Sequence, residues 1–470
     1  METTRALATR VALHACDYLA TIAERPVKAS LTGDELRALL GGPLPSTGED
    51  PIRVIDQIAA AGTKGTVASQ GPRYFGFVTG GSLPAAMAAD WLVSAWDQNA
   101  QMYVMSPIAA VVEQIAAEWL KDLFTVPSHW SVGFVTGAQM ANFTALLTAR
   151  HHLLERVGWD VERHGLFGAP PIDVLVGDQS HRTISTALRM IGFGAERVRR
   201  VDTDGQGRMR TDRLEQLLRD GSGPCVVCAQ IGNVNTGAAD PIADIAPLTH
   251  ARDAWLHIDG AFGLWAAVSP SRRSLAAGID QADSLATDGH KWLNVPYDSG
   301  IVLTAHPEAH QQSLLMPVHY IQTTPGERDP RGFTPDESRR ARALPIYAAL
   351  RVLGRDGVSA LVDRCCDLAT RMAARLGSHA SVRILNDVVL NQVLVQFRRP
   401  GSDDAAAAAL TQEVIARVQA DGTCWAGGTK WHDQSAMRIS ISNWSTTAAD
   451  IERSATAILE AVDAVEAGAL

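Results

Sequence analysis

The 470-residue chain is short of several things, and each shortage excludes something. No stretch reaches the roughly 18 consecutive apolar residues that a membrane span needs. Acidic residues outnumber basic ones only 51 to 42, a net charge of −9. That balance offers neither the basic face of a nucleic-acid binder nor a polybasic segment for an anionic membrane. The first residues, METTRALATRVALHACDYLA, are interrupted by Arg10, His14 and Asp17, so no continuous apolar core of a signal peptide is expected there. Six cysteines lie scattered at Cys16, Cys225, Cys228, Cys365, Cys366 and Cys424. They read as reduced thiols of a cytoplasmic protein. Cys225 and Cys228 form a CxxC, but inside the apolar run PCVVCAQI, which reads as a buried strand rather than a redox or zinc site. No metal site and no internal repeat is expected.

What is present is an ordinary globular composition, 46% hydrophobic and 20% charged. The length predicts two or three domains. Residues 1–110 open as a helix, become loop-rich around GGPLPSTGEDP, and continue as the amphipathic helices of 84–124. We expect 1–110 to serve as an arm and dimerisation segment. From 111 to 310 the texture changes. Short apolar runs (SVGFVT, IDVLVGD, RVRRVD, PCVVCAQIG, AWLHIDG, DSLATD, SGIVLTA) alternate with helical stretches. Strands apolar on both faces and joined by crossovers predict an α/β domain with a mostly parallel sheet. Ligands of such sheets bind beyond the carboxyl ends of the strands. Residues 311–343, rich in proline and charge, read as a long loop of the kind that forms lids. Residues 344–470, with strand candidates VVLNQVLVQF and AMRISISNW and the Ala-rich helix DAAAAALTQEVIARVQA, predict a small α+β domain.

Three segments carry chemistry. In SVGFVTGAQMANFTALL a strand runs through Gly137, Ala138 and Gln139 into a helix, where backbone N–H groups and the helix dipole can hold an anion. Alone, an ordinary tight turn reads equally well. In AWLHIDGAFG a strand ends at Asp259, followed by Gly260 and Ala261. A carboxylate there can cap a helix, bind a metal, or keep a ring nitrogen protonated. In DSLATDGHKWLNVPYDSG, Lys291 follows His290 and is crowded by Trp292, Leu293 and Val295. Desolvation makes an amine a better Schiff-base nucleophile.

The order of these segments, with His181 ending DQSH between them, resembles the group II pyridoxal-phosphate-dependent amino-acid decarboxylases. HIDGAFG…DSLATDGHKWLNVPYDSG is similar to their H-V-D-A-A-x-G…D-S-x-x-x-x-x-H-K-W. The likeness extends to PRYFGFVTGGSLPAAMAADWL, WDQNAQMYVMSPIAAVVEQ and MRISISNWSTTAADIE, most of residues 70–450. It implies a fold-type-I, aspartate-aminotransferase-like enzyme, working as a homodimer with its active site at the interface. It implies pyridoxal 5'-phosphate as cofactor, bound as a Schiff base on Lys291. It further implies that Asp259 pairs with the pyridine nitrogen, that His181 stacks on the ring, and that Ala261 packs on the opposite face. Gly137, Ala138 and Gln139 then bind the phosphate, with Asn235 and His290 also on the cofactor side. Thr79 and Arg438 fall at substrate positions, Arg438 on the α-carboxylate.

The expected reaction is α-decarboxylation of an L-amino acid to an amine. Phe75, Trp96, Met102 and Tyr103 suit an aromatic side chain, or simply a core. Rival outcomes are oxidative deamination to an aldehyde, transamination or a lyase reaction. A non-catalytic protein on this fold is a further rival, which the intact His181–Asp259–Lys291 set opposes. Four departures from the family pattern stand out. Gly-Ala-Gln replaces the usual phosphate turn, and Val234 stands where a threonine is common. Asp288 replaces an asparagine three residues before the lysine, and there it should repel a phosphate unless it finds another donor. The family's mobile-loop tyrosine aligns with Pro330, leaving His319 or Tyr320 as substitute acids.

Overall fold

Seven strands form where the seven apolar runs predict them, in a computed structural model that describes residues 2–315 and 324–468. They are β1 (Ser131–Val135), β2 (Asp173–Gly177), β3 (Val198–Val201), β4 (Cys225–Gln230), β5 (Trp255–Asp259), β6 (Ser284–Asp288) and β7 (Gly300–Thr304). Their order across one sheet is β1-β7-β6-β5-β4-β2-β3. β3, β2, β4, β5 and β6 run parallel, and β7 is antiparallel to both its neighbours. Every residue of β1, β4, β5, β6 and β7 is buried, the burial that both-face apolar sequence foretells. Cys225 and Cys228 sit in β4 as free thiols. Three residues apart on a strand, their side chains point to opposite faces, so they cannot share a metal.

The chain divides into two compact units. One, residues 80–370 with 385–394, contains the seven-stranded sheet. Helices α1 (Ala138–Glu155) and α2 (Arg182–Met190) cover part of it. Leu146, Leu153, Ile184 and Leu188 of these helices pack with Val174, Val176, Val226 and Trp255 of the sheet. Burying each such side chain contributes about 1.5–3 kcal/mol. In the same unit the helix Pro107–Phe124 is tied by Glu113, whose carboxylate accepts both Arg339 guanidinium nitrogens at 2.6 and 3.0 Å in full burial.

The other unit comprises residues 1–79, 371–384 and 395–470. A sheet whose residues, except the first three of β9, fall in this unit has the order β10-β11-β9-β8, from β8 (Val382–Ile384), β9 (Gln392–Phe397), β10 (Gly427–Trp431) and β11 (Gln434–Ser440). The helices Asp404–Asp421 and Ala448–Gly468 complete it. Residues 70–79 join this unit through side chains: Tyr74 stacks on Trp425 at 5.1 Å and Arg73 Nε donates to the Thr423 carbonyl at 2.7 Å. The strand expected over VVLNQVLVQF starts only at Gln392. Asn386 accepts the Leu394 N–H and donates to the Gln392 carbonyl, and a side chain competing for backbone groups delays the ladder.

Among the described residues no helix is long and apolar enough to cross a membrane. Within the expected 311–343 lid, His319 and Tyr320 lie outside the described residues.

Candidate active site

The loop after β6 is built to raise one lysine. Trp292, Leu293 and Val295 are buried to 1% exposure or less and anchor it from below. Asn294 adopts φ 56° and uses its carboxamide oxygen to accept the Gly81 N–H at 2.7 Å. Its backbone carbonyl accepts the Leu83 N–H at 2.8 Å. A Cβ on Gly80 would collide with the Lys291 carbonyl, so only glycine lets this strap pass beneath the loop. Lys291 itself stays partly open, its side chain 19% exposed.

Above the strand ends lies a cavity of about 400 Å³. Gly137, Ala138, Gln139, His181 and Ala261 line it, together with His290 and Lys291 from the loop. The structure thus brings together seven of the residues singled out from sequence. Thr136, Met140, Thr183 and Asp288 complete the lining. The turn at Gly137 leads straight into α1, whose 18 residues present their positive end to the cavity. A Cβ on Gly300 would collide with the Gly137 backbone, so the turn lies directly on the start of β7.

His181 caps α2. Thr183 brings both its hydroxyl (2.7 Å) and its N–H (3.4 Å) to His181 Nδ1, which accepts from the backbone and fixes the ring. His290 Nδ1 accepts the Ser299 N–H at 3.1 Å, and its ring stacks on Tyr297 at 4.2 Å. Burial lowers the His290 pKa below its ordinary value. A neutral ring with an accepting Nδ1 carries its proton on Nε2.

Asp259 ends β5, 5% exposed, and accepts the Ala261 N–H at 3.1 Å. Burial pushes its carboxyl upward, against the pull of the nearby His181 and Lys291 charges. Behind it runs a chain of buried polar groups. The Trp255 indole N–H, which can only donate, gives a 2.9 Å bond to Ser284 Oγ. The Ser284 hydroxyl lies 2.9 Å from His257 Nδ1. Asn142 Oδ1, which can only accept, lies 2.9 Å from His257 Nε2, so a singly protonated ring carries its proton on Nε2 and accepts from Ser284 at Nδ1. Burial pushes the His257 pKa to about 3, so the ring is neutral. The Asn142 amide points its N–H groups toward Asp259 without closing a hydrogen bond.

Sequence reading missed this chain and missed Thr183. Signals existed. His257 and Asp259 are two apart on a strand and so share a face. Asn142 is one turn on from Ala138 along the same face of α1, and Thr183 follows the helix cap by two residues. Asn235 is not among the cavity's lining residues; its N–H donates to Asn233 Oδ1 at 2.9 Å in the turn after β4. Thr79 and Arg438 belong to the other unit. Thr79 N–H donates to the Gly76 carbonyl at 3.1 Å. Arg438 lies on β11 opposite Gly427, its pKa lowered by burial, and no carboxylate pairs with it among the described residues. Phe75 is core in that unit, 1% exposed, while Trp96 is 45% exposed.

Comparison with known proteins gives three results. The family model described as the pyridoxal-dependent decarboxylase conserved domain matches residues 34–399. An aromatic-L-amino-acid decarboxylase of Bacillus atrophaeus is 27% identical over 442 residues, 92% of this chain and 89% of that protein. A 4-hydroxyphenylacetaldehyde synthase of Rhodiola rosea is 26% identical over 436 residues, covering 88% and 85%. Among solved structures, Oryza sativa TDC with PLP and tryptamine superposes with a TM-score of 0.92 over 99% of this chain and 98% of that one, at 20% identity.

Proposed function

The chain belongs to the pyridoxal-dependent decarboxylase family, and from that premise we propose that Lys291 and the cavity around it form the active site. The chain is a pyridoxal-phosphate-dependent amino-acid decarboxylase. The observation that carries the site assignment is the convergence, in one cavity, of an amine, a helix start, an imidazole and a small methyl side chain. A buried carboxylate beneath them is tied electrostatically to both His181 and Lys291. These groups fit the cofactor part by part.

When bound, the cofactor supplies an electron sink for the pair left on the substrate carbon as carbon dioxide departs. The protein does the rest. Lys291 offers the amine that holds the aldehyde covalently. The start of α1, with Gly137, Ala138 and Gln139, receives the phosphate. His181, locked by Thr183, and Ala261 line the same cavity, where they would flank the ring. Asp259 lacks a closed bond to Asn142 and sits under a burial penalty. Asp259 would hold a cationic ring nitrogen protonated, the opposite charge offsetting its burial penalty. Asn235 keeps a place on the cofactor side only as an outer support.

For the substrate, Arg438, which no carboxylate pairs among the described residues, suits an α-carboxylate, and Thr79 is our second candidate contact. An aromatic L-amino acid is the class we favour, from the aromatic-L-amino-acid decarboxylase among its relatives. The enzyme is read as a cytoplasmic homodimer with an interface active site. Exposed Trp91, Leu92, Trp96, Val104, Met105, Ile108 and Val111, crowded into residues 91–111, support the pairing. The unpaired cysteines support a reducing compartment.

One observation favours a second product. Pro330, buried at the start of a short 3-10 turn, stands where the resemblance puts the loop tyrosine that returns a proton. Without that acid, attack of oxygen and water gives aldehyde, ammonia and peroxide in place of the amine. Borohydride reduction followed by peptide mapping tests the site, and the label belongs on Lys291. Incubation with each common L-amino acid, scoring carbon dioxide, amine, aldehyde and peroxide together, tests the reaction. A label on another lysine rejects the site assignment.

A further inference from the structure

Asp288 is the cavity residue that the cofactor chemistry does not call for. It ends β6 at 2% exposure. Its Oδ1 accepts the N–H of Ala138, the first residue of α1, at 2.5 Å. The same oxygen lies 3.4 Å from His290 Nε2, the nitrogen that carries the imidazole proton. Its Oδ2 lies 3.0 Å from Lys291 Nζ. One buried carboxylate therefore engages a helix-start donor, an imidazole N–H and the lysine ammonium at once. Those are the groups a phosphate-bearing aldehyde has to engage.

Two anions cannot share one set of donors cheaply. Like charges at contact distance in a buried site each disfavour the other's ionised form. A carboxylate already paired with a cation must also lose that pair, which is costly away from water. We propose that Asp288 is a built-in competitor for the cofactor's phosphate group, and that it sets how tightly this chain holds pyridoxal phosphate. The proposal rests on the reading of the cavity given above. In the cofactor-free chain Asp288 satisfies the start of α1 and neutralises Lys291, so it stabilises that form. With phosphate in place, Asp288 has to give up this set of donors to it. An asparagine keeps the shape of the side chain and removes the charge.

The test uses cofactor-free full-length protein, wild type and Asp288→Asn. Each is titrated at neutral pH with pyridoxal phosphate and, separately, with pyridoxal, which lacks the phosphate. Binding is read from the absorption band of the lysine adduct. The expected result is a roughly tenfold tighter Kd for pyridoxal phosphate in Asp288→Asn, about 1.4 kcal/mol, with pyridoxal changed less than about twofold. Melting temperatures should cross: the variant melts below wild type without cofactor and above it when saturated. Asp288→Ser, which also removes the charge, must shift affinity in the same direction, and it serves if Asp288→Asn does not fold. Equal or weaker binding of pyridoxal phosphate by the variants overturns the proposal. So does an equal gain for both ligands, which would place the effect on the lysine alone. Absence of any adduct band in the wild type with either ligand rejects the cofactor reading itself, and the proposal falls with it.

Discussion

Asp259 and Asp288 end adjacent parallel strands, and both are almost wholly buried, yet the protein treats them differently. The register pairs Asp259 with Ala286, so Asp288 projects two residues further toward the cavity. Asp288 meets a backbone N–H and a lysine amine at hydrogen-bond distance. Asp259 meets one backbone N–H and an amide that stops short of bonding, with three more neutral polar groups lined up behind that amide. The contrast teaches that residue type and sheet position do not set a carboxylate's chemistry. What it faces does. A satisfied carboxylate resists a new ligand, and an under-satisfied one invites a cation.

Lys291 stands between the two, and removing it should have the largest effect. Lys291→Ala deprives both carboxylates of their cation and deletes the covalent anchor. Carbon dioxide release should fall by at least about 10³-fold, within the range for loss of a catalytic group. The visible adduct band should vanish while the protein stays folded by circular dichroism. Asp259→Asn comes next. It removes a charge-assisted bond of about 1.5–3 kcal/mol, so turnover should drop by about 10–100-fold, with weaker cofactor binding in the same absorption assay. Turnover near wild type would falsify the distinction drawn between the two strand ends.

The backing of Asp259 can be broken separately. His257→Phe leaves Ser284 and Asn142 without their shared partner in the core. Each unsatisfied buried group costs about 1–3 kcal/mol, and a thermal melt should show the variant several degrees below wild type.

A smaller effect should appear with pH. The His257 pKa is pushed by burial from its ordinary 6.5 to about 3. Between those values the unfolded chain binds the proton and the folded chain does not, so stability falls as pH drops from about 6.5 toward 3. His310, buried and likewise pushed to about 3, has the same sign. The dependence approaches about 1.4 kcal/mol per pH unit for each such group. Denaturant melts over this range should give a shallower slope for His257→Gln than for wild type.

The sheet was legible because its strands are apolar on both faces, a pattern that covering helices require. His181, Ala261, His290 and Lys291 were legible because each sits at or just beyond a strand end, where such sheets bind ligands. The partner of Asp288 was not. A departure from the family pattern flagged the residue, but its bond to Ala138 spans 150 positions, and no local periodicity reports a contact of that range. Residues 70–79 illustrate the same limit. Their partners Thr423, Trp425 and Asn443 lie some 350 to 370 positions away, and side-chain bonds to backbone carbonyls leave no pattern in either segment. Asn235 was chosen as the substitute for a threonine common at that turn, and in the fold its backbone N–H donates to Asn233 Oδ1.

The position of β1 at the sheet edge, paired among the described residues with β7 alone, bears on how the protein is made. A ribosome delivers Ala138 150 residues ahead of Asp288, and the whole of β7 follows later still. At about 5–20 residues per second, the nascent chain carries β1 without that sheet neighbour for on the order of ten seconds. An apolar strand with open edges invites pairing with other chains during that interval. Conditions that slow translation between residues 155 and 300 should therefore lower the yield of native protein without altering the enzyme that emerges.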